Sequence, residues 1–336
     1  MPDFSQAGHP LSRARERGPG GGGSLPWPTP AEAPDAHLPL RRSALDSVEP
    51  HPPRCALTVD LEEWFHGLDL APARWSGLEG RAVAATNHLL DLLAGHGARA
   101  TFFVLGRIAE AYPDLVQRIL VDGHEIGSHG HDHQFVYRQQ PDGFARDLEA
   151  SLVALRRAGA PDVVSYRAPY FSITRRSLWA LDVLAQAGIT RDSSIMPARN
   201  PRYGIASAPL APHLIRTSSG RSLMELPVSC LALGPARLPF GGGFYLRFLP
   251  LALTRSAIRH TLRQGRPVVF YVHPWELDPA QPRLELPAQV AATRYYRLGS
   301  TARKLTALLR EFRWRTLDEL AAGCAPSGPW TVGSRQ

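Results

Sequence analysis

The 336-residue chain has a single lysine, Lys304, so 37 of its 38 basic residues are arginine. These arginines stand singly or in pairs among apolar residues and form no run of five like charges. The formal charge of +8 therefore describes a mildly basic surface. No basic stripe with interleaved aromatics accompanies it, so nucleic acid is not an expected partner. Anionic glycans and membrane surfaces stay compatible with the charge. Cysteine is scarce too. Cys55, Cys230 and Cys324 are odd in number, far apart and without a CxxC, which excludes a zinc ribbon and a disulfide framework. No apolar run reaches the roughly 18 residues of a transmembrane segment. Pro, Gly and Arg interrupt the N-terminus where a signal peptide would need an apolar core. A soluble cytoplasmic protein is the expectation.

What is present falls into three parts. Residues 1–53 hold 11 prolines and 6 glycines, including "GPGGGGS" and "PWPTP", and offer little apolar surface to offset ordering entropy. A disordered tail is expected there. From Arg54 the texture becomes that of a folded domain, expected over 54–320, with a C-terminal tail over 321–336. Short β-branched runs alternate with helical spacing. "CALTVD" (55–60), "RATFFVL" (99–105), "HEIGS" (124–128), "DVVSY" (162–166), "GITRDS" (188–193), "LMELPVS" (223–229) and "RPVVFYVH" (266–273) read as strands. Helices are predicted over 81–97, 111–123, 142–159, 174–187, 250–264 and 299–312. Alternation of this kind is the mark of an α/β fold with a parallel sheet. About seven βα repeats, with polar motifs just after the strands, favour a barrel over an open sheet.

In a β/α barrel the chemistry collects at the C-terminal ends of the strands. The first strand delivers Asp60, Glu62 and Glu63, and the third delivers His129 and His133 from "GSHGHDHQF". The fourth delivers Arg167 and Tyr170 from "YRAPYFS", the fifth Asp192, and the last His273 from "FYVHPWE". His129 and His133 are four positions apart, so one turn or compact loop puts both imidazoles on one side. Two imidazoles and one carboxylate with open positions suit zinc or another divalent first-row metal. His131, between them, should point elsewhere. His88, His96 and His124 have sufficient structural roles on a helix or before a strand. Trp64, Phe65, Phe171 and Trp275 flank the motifs and are expected to pack around the barrel mouth. "PFGGGFYLR" (239–247) lacks the strand-to-helix setting of a phosphate loop and reads as a mobile or closely packed loop near the site.

Taken in order, "TVDLEE", "HEIGSHGHDH", "YRAPYFS" and "FYVHPWE" resemble the polysaccharide deacetylases of the NodB-homology family, over roughly Arg54 to Leu320. "YRAPYFSITRRSLWALDVL" with "HPWELDP" looks most like the deacetylases of exopolysaccharide loci associated with exosortase (PEP-CTERM) systems. The resemblance implies a distorted (β/α)7-like barrel and metal-dependent hydrolysis of an N-acetyl group on an oligo- or polysaccharide. It implies Asp60 as catalytic base, His129 and His133 as metal ligands, and Arg167 as the arginine that orients the base. Tyr170 would offer its backbone N–H to the oxyanion, and His273 would be the general acid. The family's adjacent Asp-Asp is replaced here by Asp60-Leu61-Glu62-Glu63, which leaves the carboxylate ligand open. Side chains two apart on a strand share a face, which favours Glu62, whereas a turn at the strand end would bring Glu63 round. Asp192 is the stand-in for the aspartate expected to orient His273. An allantoinase-like cyclic-amide hydrolase and a non-catalytic glycan-binding member are the rival readings.

Overall fold

A computed structural model describes residues 54–331 apart from 69, 71 and 235. The Pro/Gly-rich stretch 1–53 lies outside them. The first half of the fold is regular. Strand β1 (Cys55–Leu61) leads to helix α1 (Ala82–Ala94), β2 (Ala100–Val104), α2 (Gly106–Ala111), α3 (Pro113–Val121), β3 (Glu125–Ser128), α4 (Pro141–Arg157), β4 (Ser165–Tyr166), α5 (Ala180–Gln186) and β5 (Arg191–Asp192). The second half departs from that rhythm. It runs β6 (His213–Arg216), β7 (Ser222–Glu225), β8 (Cys230–Leu233), β9 (Ala236–Pro239), α6 (Gly243–Phe248), α7 (Leu251–Arg263), β10 (Val268–Val272), α8 (Ala288–Tyr295), α9 (Thr301–Glu311), β11 (Trp314–Arg315), α10 (Leu317–Ala322) and β12 (Ser327–Thr331).

One sheet runs β10-β1-β2-β3-β4-β5-β7-β6-β12, with β11 also paired to β1. Every pairing in it is parallel except β6 with β7. The outer edge of β10 does not stay bare. Ser229 N–H donates to Val269 O at 3.0 Å, and Tyr271 N–H donates to Gly241 O at 2.8 Å. The chain after β7 thus reaches β10, and the sheet curls toward closure through these bonds without a regular strand there. Strands β4 and β5 are two residues each, much shorter than "DVVSY" and "GITRDS" suggest. Within the stretch read as a C-terminal tail, Ser327–Thr331 forms β12 and pairs with β6. Among the described residues no helix is long and apolar enough to cross a membrane.

Period-two alternation explains what the sheet presents on each face. In β1, Cys55, Leu57, Val59 and Leu61 pack outward with Leu89, Leu93, Leu305 and Leu308 from α1 and α9. Ala56, Thr58 and Asp60 point the other way, onto an inner face shared with Phe103 and Val269. All seven residues of β1 are buried, as expected of a central parallel strand covered on both sides. Leu93 is fully buried, and cutting it to alanine would cost about 2–5 kcal/mol. The outer layer holds the strand, and the inner face is free to carry polar groups.

Candidate active site

The inner-face parity of β1 continues past its end. Asp60 and Glu62 both line one cavity of about 250 Å³ at the strand C-termini. Glu63, one residue on, faces the opposite way. Its carboxylate accepts from the N–H groups of Arg81 (2.9 Å) and Ala82 (3.1 Å), and so caps the start of α1. The same cavity is lined by His129, His133, Tyr170, Tyr203, Tyr271, His273, Trp275 and Arg294.

Beneath the cavity floor lies Arg167, fully buried. Its Nη1 donates to Asp60 Oδ1 at 2.8 Å and to Thr58 Oγ1 at 2.7 Å. Its Nε and Nη2 donate to Ser193 O (3.0 Å) and Ser193 Oγ (2.7 Å). Four bonds engage four of the five guanidinium donors and leave Asp60 little freedom to rotate. The pair is buried, hydrogen-bonded and geometrically fixed, the condition under which a buried ion pair is tolerated.

His129 and His133 arrive on the loop after β3. The Nδ1 of His129 lies 2.8 Å from Arg167 O, which makes it the N–H donor and leaves Nε2 with a lone pair. Burial pushes this imidazole down to about 4, so it is neutral at pH 7. Glu62, His129 and His133 each offer one ligating atom, all within 4.8 Å of one another. Glu62 Oε2 is 2.5 Å from His133 Nε2, yet it is a buried oxygen with no hydrogen bond directed to it. Burial acts to raise the Glu62 carboxyl, but the charges of His133, His273 and His129 outweigh it and hold it well below the usual range. Two imidazoles, one ionised carboxylate and an orphaned oxygen fit a divalent cation. His131 is placed elsewhere, with its ring against Gly106 and its Nε2 3.8 Å from Glu110.

Backbone strain marks the same place. Four non-glycine residues have positive φ among those described, and His133, Tyr170 and Phe171 are three of them. All three line the cavity. Left-handed backbone at bulky residues persists only where surrounding packing enforces it, and it concentrates at functional sites. Here the packing is aromatic, with the His133 ring tilted against Tyr170 at 4.5 Å and Tyr170 stacked parallel on Phe135 at 4.0 Å.

His273 follows β10 and opens a 3₁₀ turn, Pro274–Leu277. Its backbone N–H donates to Glu276 Oε2 at 3.0 Å, and its Nδ1 lies 3.1 Å from the same oxygen. Nε2 is thereby aimed into the cavity, 3.9 Å from Asp60 Oδ2 and 3.8 Å from Glu62 Oε1. Burial acts to lower this imidazole, but the hydrogen bond and charge of Glu276, with Glu62 and Asp60, carry it above the ordinary histidine range. Glu276 is itself pinned, because Arg247 Nε donates to its other oxygen at 3.0 Å. Burial would raise Glu276, but Arg247 and His273 bring it to about 2. The glycine segment "PFGGGFYLR" is closely packed and leads into α6. A Cβ at Gly243 would sit 1.7 Å from Glu276 Oε2, so only glycine admits the carboxylate there.

The orienting residue expected at Asp192 is therefore a correction: Glu276 does this. Asp192 is fully buried, accepts from Ser194 Oγ and lies in register beside Glu225 of β7. That network aligns the 193–195 segment, since Ser194 Oγ accepts from Ala168 N–H at 2.8 Å and Glu225 Oε1 from Ile195 N–H at 3.0 Å. Glu276 was legible as the N3 partner in a His-Pro-x-Glu capping box, a spacing with a physical meaning. Arg247 and Thr58 left no comparable local signal. Neither did Trp275 as a donor, whose Nε1 bonds Glu62 Oε1 at 3.0 Å.

Comparison with known proteins follows the same division of the chain. Residues 69–191 match the polysaccharide deacetylase family, and residues 193–322 match a domain of unknown function, DUF3473. The chain is 28% identical over 127 residues to a peptidoglycan-N-acetylglucosamine deacetylase of Bacillus cereus, covering 34% of this chain and 46% of that protein. It is 36% identical over 122 residues to a chitooligosaccharide deacetylase of Sinorhizobium fredii, covering 33% and 51%. The chain thus spans about half the length of these relatives. A solved structure from Mycobacterium smegmatis, assigned to the polysaccharide deacetylases, shares the fold with a TM-score of 0.56 at 20% identity, covering 82% of this chain and 94% of that one. The deacetylase domain match and the DUF3473 match meet at β5, in the middle of one continuous sheet.

Proposed function

We propose that this protein is a metal-dependent hydrolase that removes N-acetyl groups from an amino-sugar polysaccharide. The observation that carries the reading is the convergence of the Glu62–His129–His133 cluster, the Asp60–Arg167 pair and the His273–Glu276 pair on one cavity. Glu62, His129 and His133 would hold the cation, most simply zinc. Bound there, a divalent metal supplies Lewis-acid polarisation of the acyl oxygen and a lowered pKa for water.

The chain's own residues account for the proton transfers. Asp60, fixed by Arg167, takes a proton from the attacking water as its oxygen bonds to the acyl carbon. The backbone N–H of Tyr170, in its strained turn, is assigned to the developing oxyanion. His273, whose hold on its proton Glu276 strengthens, gives that proton to the amide nitrogen as the C–N bond breaks. Acetate and a free amino sugar result. A cyclic-amide hydrolase would need a small closed pocket. Instead, this cavity shares Arg202 and Tyr203 with a second one of about 370 Å³, which favours an extended glycan. The motif texture of "YRAPYFS" and "HPWELDP" supports a role in exopolysaccharide synthesis of the exosortase-associated type.

The test is acetate release from N-acetylglucosamine oligomers by the purified full chain, before and after chelation and with zinc restored. Release that vanishes on chelation and returns with metal is expected. A protein that binds zinc stoichiometrically yet releases no acetate from any N-acetylated glycan would overturn the reading.

A further inference from the structure

Arg294, at the end of α8, is 93% buried by the complement of its 7% exposure and lines the site cavity. Its guanidinium lies 3.4 Å from the Trp275 ring centroid, which fixes its plane. Neither its Nε nor its Nη2 has a hydrogen-bond partner. The nearby carboxylates carry other bonds: Glu276 is held by Arg247 and His273, and Glu62 Oε1 accepts from the Trp275 indole. A buried guanidinium with unpaired donors is expensive unless an anion arrives to accept from it. Arginine suits this role, because its planar fork matches a carboxylate or phosphate.

A second, separate observation has the same sign. The adjoining cavity, joined to the site through Arg202 and Tyr203, is walled by Arg175, Arg176 and Arg202 and by no acidic residue. Arg175 donates to Ser207 Oγ, and no carboxylate lines this cavity beside Arg176 or Arg202. A cationic wall outside and an unpaired guanidinium inside lie in neighbouring cavities that share Arg202 and Tyr203.

We propose that the glycan bound here is anionic, an N-acetylated chain bearing carboxylates, with Arg294 receiving one carboxylate beside the reacting sugar and Arg176 and Arg202 receiving the chain outside. This rests on the deacetylase reading and narrows its substrate class.

The experiment compares two matched ligands with the metal-loaded full chain. One is an oligomer of alternating glucuronic acid and N-acetylglucosamine, and the other is that oligomer with its carboxyls reduced to alcohols. Acetate release and equilibrium binding are measured on both. The acidic oligomer should be favoured in kcat/KM by about tenfold or more, as a charge-assisted bond predicts. Arg294→Gln should bring that ratio close to one, Arg294→Lys should keep part of it, and the Arg176→Gln/Arg202→Gln pair should raise KM for the acidic form and weaken its salt dependence. Equal kcat/KM on the two oligomers, with acetate released from both, would overturn the anionic substrate and leave the deacetylase standing. Arg294-dependent binding of the acidic oligomer with no acetate released would support the anionic site and sink the deacetylase. Wild-type protein suffices for the first comparison, so a variant that misfolds leaves the proposal exposed to failure.

Discussion

The two halves of the chain build one cavity by different means. Up to Asp192, each functional side chain sits within a few residues of a parallel strand end: Asp60 at the end of β1 and Glu62 just past it, His129 and His133 after β3, Arg167 after β4. Beyond it, only His273 does. Its partner Glu276 lies three positions on, but Glu276 is held from farther along the chain, by Arg247 across 29 positions, and Arg247 also donates to the carbonyl of Arg294 across 47. The first half holds the proposed metal ligands and base by local geometry. The second holds the proposed acid by a relay of packed charges, Arg247 to Glu276 to His273. A group placed by its own strand is insulated from distant changes, whereas a relay transmits them. The first-half site should therefore fail at single positions, and the second should degrade by steps.

The largest effects belong to the first half. His133→Ala or His129→Ala should empty the metal site and cost about three decades in turnover, since metal polarisation is worth several kcal/mol. His131→Ala should keep both, because its ring faces α2. Metal analysis beside acetate release checks this, and an emptied site in His131→Ala would mean the ligand pair is misassigned. In the second half, His273→Ala should retain metal while kcat falls about 10²–10⁴-fold, the usual contribution of a general acid. Normal kcat in that variant would remove His273 from the chemistry.

Smaller still is the relay. Glu276→Gln removes the charge that raises His273, so the imidazole should lose its proton at lower pH. The alkaline limb of the kcat profile should shift to lower pH, with a smaller loss at the acidic side than His273→Ala shows. If the limb stays where it was, Glu276 does not tune the acid and the relay is only structural.

How much of this was legible follows from the same contrast. The α/β class, the order of the long strands and the residues Asp60, His129, His133, Arg167 and His273 were readable because alternation and strand-end placement are local patterns. The choice between Glu62 and Glu63 was framed by strand parity, and the structure puts Glu62 in the cavity and Glu63 on the start of α1. Strand β6 and the β8–β9 hairpin were missed. "HLIR" is too short for periodicity, and "CLALGPARLP" interrupts its alternation with Gly and Pro. Arg294 was invisible because only its unpaired state in three dimensions distinguishes it from the other arginines. Composition had flattened that signal, since arginine carries nearly all the basic charge.

The smallest expected effect concerns the seam between the halves, where Asp192 on β5 and Glu225 on β7 are paired in register and both fully buried. Burial raises both carboxyls, and the charge of Asp192 raises Glu225 further, so the pair holds a proton above the pH at which either would lose it in water. In the unfolded chain both ionise near their ordinary values, about 4. Between that pH and the raised one the native state binds more protons, so stability must fall as pH rises through the interval. Glu225→Gln replaces the shared proton with an amide that still donates toward Asp192 and still accepts from Ile195. It should leave stability at pH 4 close to wild type and blunt the loss above it, by an amount within the roughly 0.5–3 kcal/mol of an ordinary substitution. Urea midpoints of both proteins from pH 4 to pH 8 decide the matter. Curves that run parallel across that range would show that no proton is trapped at the seam, and that the two halves are joined there by hydrogen bonds indifferent to pH.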